Sequence, residues 1–109
     1  MHLTPLSDHF FVAGQVLPSA MSQLKDEGFG TVICNRPDGE EPQQPSAADV
    51  QASAEAAGLK FFFVPFNPSN PNPTMVEDFA RAVNEAAEGK ILAYCRSGNR
   101  SSRLWMAIQ

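Results

Sequence analysis

Apolar residues fall into short solid runs separated by segments in which they recur every three or four positions. Phe10-Phe11-Val12, Thr31-Val32-Ile33-Cys34, Leu59 to Phe66 and Ile91-Leu92-Ala93-Tyr94 are the solid runs, the form taken by strands of a parallel sheet covered on both faces. The intervening segments predict helices. Pro18 and Ser19 open a short one, with Met21 and Leu24 inward and Gly28 as its stop. Ser46-Ala47-Ala48-Asp49 reads as a capping box for a helix to Gly58, with Val50, Ala54 and Ala57 on its buried side and Gln51 and Glu55 in water. Thr74-Met75-Val76-Glu77 reads as a second box, for a helix ending at Gly89 with Met75, Phe79, Val83 and Ala86 as its core stripe. Leu104, Trp105 and Ile108 mark a last helix. Strand and helix alternate throughout, which predicts an α/β single domain: a mostly parallel sheet, helices on both faces, right-handed crossovers. Phe61, Phe62 and Phe63 are expected in the core, although one near the strand end could line a substrate. Asn67 to Pro73, rich in Asn and Pro, reads as a rigid loop overhanging the strand ends.

The chemistry concentrates where the last strand meets the last helix, at Lys-Ile-Leu-Ala-Tyr-Cys-Arg-Ser-Gly-Asn-Arg-Ser-Ser, residues 90–102. A tight strand-to-helix loop leaves its own N–H groups and those of the first helical turn unpaired, with the positive end of the helix dipole behind them. Such a cradle binds anions. Cys95 at its mouth is expected to ionise readily, its thiolate held by those N–H groups and by Arg96 and Arg100, and so to be a nucleophile at neutral pH. Gly98 lets the backbone turn inward. Four residues separate Cys95 from Arg100, and this loop resembles the active-site loop of rhodanese-type sulfurtransferases; the cysteine-dependent phosphatases carry five. A smaller ring of N–H groups suits a persulfide sulfur better than a tetrahedral phosphate.

Composition narrows the field. With 109 residues there is room for one core, and a formal net charge of −4, from 8 Lys and Arg against 12 Asp and Glu, provides no basic field for nucleic acid or an anionic membrane. No apolar run nears the roughly 18 residues of a membrane span, and the start lacks the pattern of a signal peptide, so a cytoplasmic location is expected. Two distant cysteines suit neither a secreted disulfide framework nor a zinc site; no metal or other cofactor is expected.

Other candidates carry two readings each. Cys34, near the end of its strand, is either a small core residue or a resolving thiol for Cys95, since sites gather at the C-terminal ends of parallel strands. Arg36 could add positive charge to the mouth of the site. Asp38, Glu40 and Glu41 read as a solvated loop. His2 and His9 read as surface residues, a base for Cys95 being the alternative. The last helix still has an apolar face to cover at Gln109, so the domain is expected to continue beyond it.

Val12-Ala13-Gly14-Gln15, Gly28-Phe29, Thr31 to Asn35 with Arg36-Pro37-Asp38, Phe63-Val64-Pro65 and Tyr94 to Ser102 together resemble the bacterial phosphatase-like domain of the beta-lactamase hydrolase-like proteins. The resemblance covers nearly the whole chain. It implies the fold of dual-specificity protein phosphatases, Cys95 as nucleophile, Arg100 as anion-binding arginine, Ser97, Gly98 and Asn99 as cradle positions, and Ser101 as the hydroxyl that tunes the thiolate. Members are also described as sulfurtransferases that accompany sulfide-oxidising enzymes, which implies a metallo-beta-lactamase-fold persulfide dioxygenase as a partner. The chain departs from the phosphatase pattern after Phe66. Where those enzymes place a general-acid Asp, it has Asn67, Pro68, Ser69 and Asn70. Asparagine cannot protonate a leaving alkoxide, and losing such an acid removes on the order of 10²- to 10⁴-fold of rate, unless Asp38 or Asp78 substitutes.

Two enzymatic functions follow, with a silent anion-binding module as a third. In the first, Cys95 takes sulfur from thiosulfate or a small persulfide and passes it to an acceptor thiol, a reaction that needs no general acid. In the second, Cys95 forms a phosphocysteine from a phosphate ester.

Overall fold

In the computed structural model, which describes residues 1–109, the chain runs β1 (Thr4–Pro5), β2 (Phe10–Ala13), a 3-10 turn (Pro18–Ala20), α1 (Met21–Asp26), β3 (Phe29–Cys34), α2 (Ala47–Ala56), β4 (Lys60–Phe63), α3 (Met75–Asn84), β5 (Lys90–Tyr94) and α4 (Asn99–Ala107). The strands form one sheet in the order β1-β2-β5-β3-β4. β5 is central, pairing in parallel with β2 (Ala13 beside Tyr94) and with β3 (Cys34 beside Tyr94). β4 adds a parallel edge, and only β1 runs antiparallel. The parallel strands therefore end together, and the site lies at that end.

Because strand side chains alternate, each strand feeds two cores. Val32, Cys34, Leu92 and Tyr94 join Met21, Leu24, Val50 and Ala54 on the side of α1 and α2. Phe10, Val12, Ile33 and Ala93 join Met75, Phe79 and Leu104 on the side of α3 and α4. Trp105 stacks on Phe10 with ring centroids 4.1 Å apart, fixing α4 over β2. The predicted α/β architecture is thus the observed one.

Local expectations fared unevenly. Ser46 caps α2 as predicted, its Oγ accepting from the Asp49 N–H at 3.0 Å. Thr74 does not cap α3: its hydroxyl contacts the Asn72 and Asp78 side chains, while Asn72 Oδ1 accepts from the Thr74 N–H. That helix stops at Asn84, short of Gly89, and the Thr31 hydroxyl accepts from the Ala87 N–H at 2.8 Å. Phe61 is buried, but Phe63, at the end of the edge strand, is 45% exposed. β1 escaped the sequence reading because it is two exposed residues, one of them the kind of edge proline that a sheet tolerates.

Candidate active site

β5 carries Cys95 to the strand ends, where the Cys95 N–H still bonds to the Ala13 carbonyl at 3.2 Å. The chain then turns through Gly98, at φ 91°, straight into α4. A Cβ at Gly98 would contact the backbone of Ala13, and one at Gly14 would lie 2.8 Å from the Arg96 carbonyl oxygen. These two glycines let the loop and the end of β2 close on each other.

The Gly98 N–H donates to Cys95 Sγ at 3.1 Å. Burial is the largest single influence on this thiol and pushes its pKa up. The N–H groups of Ser101, Ser97, Gly98 and Arg100 together pull harder the other way, and the thiol lies below its ordinary value. Cys95 has no exposed surface, so a donor reaches the sulfur only by displacing what covers it.

The loop backbone named from the sequence converges on the sulfur, but the Arg96 side chain, expected to hold the thiolate, is exposed and paired with Glu41, and two further roles change. Ser101 contributes its N–H to the thiolate, but its hydroxyl donates to Asn35 Oδ1 at 2.8 Å instead of tuning the sulfur. Asn35 Nδ2 in turn donates to the Val64 carbonyl at 2.8 Å. This buried amide bolts the first turn of α4 to the ends of β3 and β4. Asn99 begins α4 on the exposed side, and its N–H reaches Ser97 Oγ at 3.4 Å.

Arg100 is held on one edge. Its Nη1 donates to Glu40 Oε2 at 2.7 Å and to the Phe66 carbonyl at 2.9 Å, and its Nη2 donates to Glu40 Oε1 at 2.9 Å. Glu40 leads, and Cys95 adds, to a raised Arg100 pKa. The Glu40 carboxyl, bonded to Arg100 and to Arg36, falls from 4.5 to about 2. The loop is exposed, as read, but its Glu40 and Glu41 carboxylates are paired to arginines instead of standing free in water. Arg36, 3% exposed, spends its charge on them: Nε to Glu40 at 2.9 Å, Nη2 to Glu41 at 2.7 Å, with Nη1 donating to Gln15 at 3.0 Å. Expected to enrich the mouth in positive charge, it instead braces two carboxylates. Glu41 also pairs with the exposed Arg96 at 3.2 Å.

The remaining candidates lie elsewhere. Cys34 does not meet Cys95. It is in register with Tyr94 and shares that residue's face of the sheet, whereas Cys95, one position on, points the other way. Its thiol donates to the Arg36 carbonyl at 3.3 Å, and burial leaves its pKa raised. Asp38 Oδ1 accepts from the Ala47 N–H at 2.8 Å and so serves the start of α2. Asp78 is tied to Thr74 and Arg81 on α3. Asn67 is exposed, its side chain accepting from the Ser69 N–H. His2 and His9 are exposed. No three metal-ligating side chains gather, and no helix is long and apolar enough to cross a membrane. The sequence reading missed Glu40, Asn35 and Gln15. For Glu40 the available signal was two adjacent acids just after Arg36-Pro37-Asp38-Gly39, at the same sheet end as an arginine-bearing loop.

Known proteins resemble this chain in sequence and in fold. The chain is 33% identical over 109 residues to a beta-lactamase hydrolase-like protein of Agrobacterium fabrum, covering 97% of this chain and 24% of that protein. It is 32% identical over 105 residues to one from Xylella fastidiosa strain 9a5c, again covering 24% of it. The chain thus spans about a quarter of these relatives. Among solved structures, a phosphatase-like protein of Neisseria meningitidis Z2491 superposes with a TM-score of 0.80 at 35% identity, covering 93% of this chain and 71% of that one. A Shewanella putrefaciens CN-32 protein, also described as phosphatase-type, gives a TM-score of 0.83 at 23% identity over 95% of this chain and 64% of that one. The catalytic core of an S. cerevisiae PP-IP phosphatase gives 0.71 at 17% over 97% and 63%. The last two establish the fold. With residues 2–109 matching the family model for the phosphatase-like domain and the cysteine cradle in place, the chain belongs to the family of phosphatase-like domains of beta-lactamase hydrolase-like proteins.

Proposed function

We propose that this domain is a sulfurtransferase in which Cys95 carries sulfane sulfur. The observation that carries the reading is a thiolate cradle, closed by Arg100 after four residues, in which the carboxyl bonded to that arginine, Glu40, is held ionised. The Cys95 thiolate attacks the outer sulfur of thiosulfate. The S–S bond of the donor breaks, sulfite leaves with the bonding pair, and Cys95 holds a persulfide whose terminal sulfur is an anion. An acceptor thiolate then takes that sulfur and regenerates the Cys95 thiolate. Both leaving groups are stable anions, so neither step calls for a proton donor. Loop N–H groups and Arg100 stabilise the charge throughout.

The second reading, phosphate-ester hydrolysis, is the one the relatives favour: family and solved structures alike are phosphatase-like. The same thiolate would attack phosphorus, expel an alkoxide or phenolate, and leave a phosphocysteine for water to cleave. With Glu40 drawn down to about 2 by Arg100 and Asp38 bonded to Ala47, the expelled oxygen finds no acid. Esters with poor leaving groups would therefore react slowly.

Intact mass spectrometry of the reduced protein, exposed to thiosulfate or separately to an aryl phosphate beside a Cys95→Ser control, decides between them. One added sulfur on Cys95, released by an acceptor thiol, is the expected result. A phosphoryl adduct with released phenol and no sulfur uptake would overturn it in favour of the phosphatase.

A further inference from the structure

A guanidinium has five hydrogens, and here three are committed. Glu40 takes one from each Nη, and the Phe66 carbonyl takes the second on Nη1. What remains is the edge formed by Nε and the outer hydrogen of Nη2, a two-pronged donor of the kind that grips an oxyanion. Glu40 is itself fixed from behind, since its Oε1 also accepts from Nε of buried Arg36, whose other two nitrogens are tied to Glu41 and Gln15. Arg36 leaves the end of β3, so the brace is anchored in the sheet.

We infer that Glu40 is a positioning residue of this site. It locks Arg100 so that only the Nε edge is offered to the incoming anion, and Arg36 locks Glu40. An unbraced arginine beside an anion cradle would sample many rotamers, and each encounter would have to order it. The brace orders it beforehand, at the expense of placing a negative charge near an anion site. That expense makes the inference testable, because charge and position predict opposite signs. By charge alone, removing Glu40 strengthens anion binding; if Glu40 positions Arg100, removing it weakens binding. The inference rests on reading Cys95 and Arg100 as nucleophile and anion-binder, and is independent of which group is transferred.

The experiment measures protection of Cys95 from iodoacetamide by inorganic sulfate, in the unsubstituted protein and in Glu40→Ala and Glu40→Gln, with circular dichroism confirming the fold of each. Glu40→Ala should raise the sulfate concentration needed for half-protection roughly tenfold, the order of one charge-assisted hydrogen bond. Glu40→Gln retains one acceptor oxygen and should fall between, which keeps the test alive should the alanine variant fail to fold. Unchanged or tighter protection in both variants would overturn the positioning role and identify Glu40 as a resident anion that substrate displaces. Absence of protection in the unsubstituted protein would overturn the anion-cradle reading, and this inference with it.

Discussion

Cys34 and Cys95 close neighbouring strands of the same sheet, one residue apart in register, yet their thiols are driven in opposite directions. Both are buried. After Cys34 the chain continues extended into Asn35, and the thiol meets a carbonyl, that of Arg36. After Cys95 it turns through a positive-φ glycine into a helix, and the thiol meets N–H groups. A strand end is thus no sufficient recipe for a nucleophile. Burial pushes both thiols up; at Cys34 the contacts with Tyr94 and the Arg36 backbone do not offset it, whereas the turn after Cys95 presents four N–H groups that together do.

The largest effect should come from exchanging the two cysteines' fates. Cys95→Ser is expected to abolish both covalent labelling and turnover. Cys34→Ala should leave labelling at Cys95 intact and lower stability by about 1–2 kcal/mol through the small cavity it opens. Mass spectrometry and denaturant melts separate the two. Labelling that requires Cys34 would break the contrast.

Gly98→Ala attacks the turn itself. A side chain at φ 91° costs about 1–2 kcal/mol, and relieving that strain would swing the N–H groups off the sulfur, making Cys95 resemble Cys34. Each pKa unit gained lowers the thiolate fraction by up to about tenfold, the full factor applying wherever the pH lies below the pKa. The pH dependence of iodoacetamide alkylation measures this. In the unsubstituted protein its midpoint should lie below the ordinary 9.0 of a thiol, with Cys34 unreactive over the same range; in the variant it should move up. Asn35→Ala should act one step further out, leaving the Ser101 hydroxyl and Val64 carbonyl without their partner. It should cost about 1–3 kcal/mol of unfolding free energy, with a smaller slowing of alkylation than Gly98→Ala.

The sequence showed the half of this contrast that local pattern encodes. A solid apolar run, a cysteine, a glycine and a helical stripe within about four turns of chain suffice to draw the cradle, and Cys95, Gly98 and Arg100 were legible for that reason. So were the layers, because apolar periodicity separates doubly covered strands from amphipathic helices. What escaped depends on contacts across the sheet. Which face Cys34 shares is a matter of register between β3 and β5. That Glu40 grips Arg100, 60 positions along the chain, and that Asn35 receives the Ser101 hydroxyl, 66 positions away, could follow only from strand order. Acidic loop residues read as solvated because most are; Glu40 differs in having two arginines delivered to it by other elements.

The smallest expected effect is also the one whose sign most directly tests the brace. Glu40 has a folded-state pKa of about 2, against 4.5 ordinarily, so it contributes stability that is fully present above about pH 4.5 and is lost as pH falls toward 2. Its partner Arg100 stays charged throughout, since its own pKa is raised. Thermal melts of the unsubstituted protein and Glu40→Gln should therefore differ most near neutrality and converge between about pH 4.5 and 2. The gap should be small, because Glu40 is an exposed residue whose side chain is still 27% open to water and partly screened by it. A gap independent of pH over that interval would mean that the carboxylate's charge contributes nothing to holding Arg100, and that Phe66 and the loop backbone set the arginine's position without it.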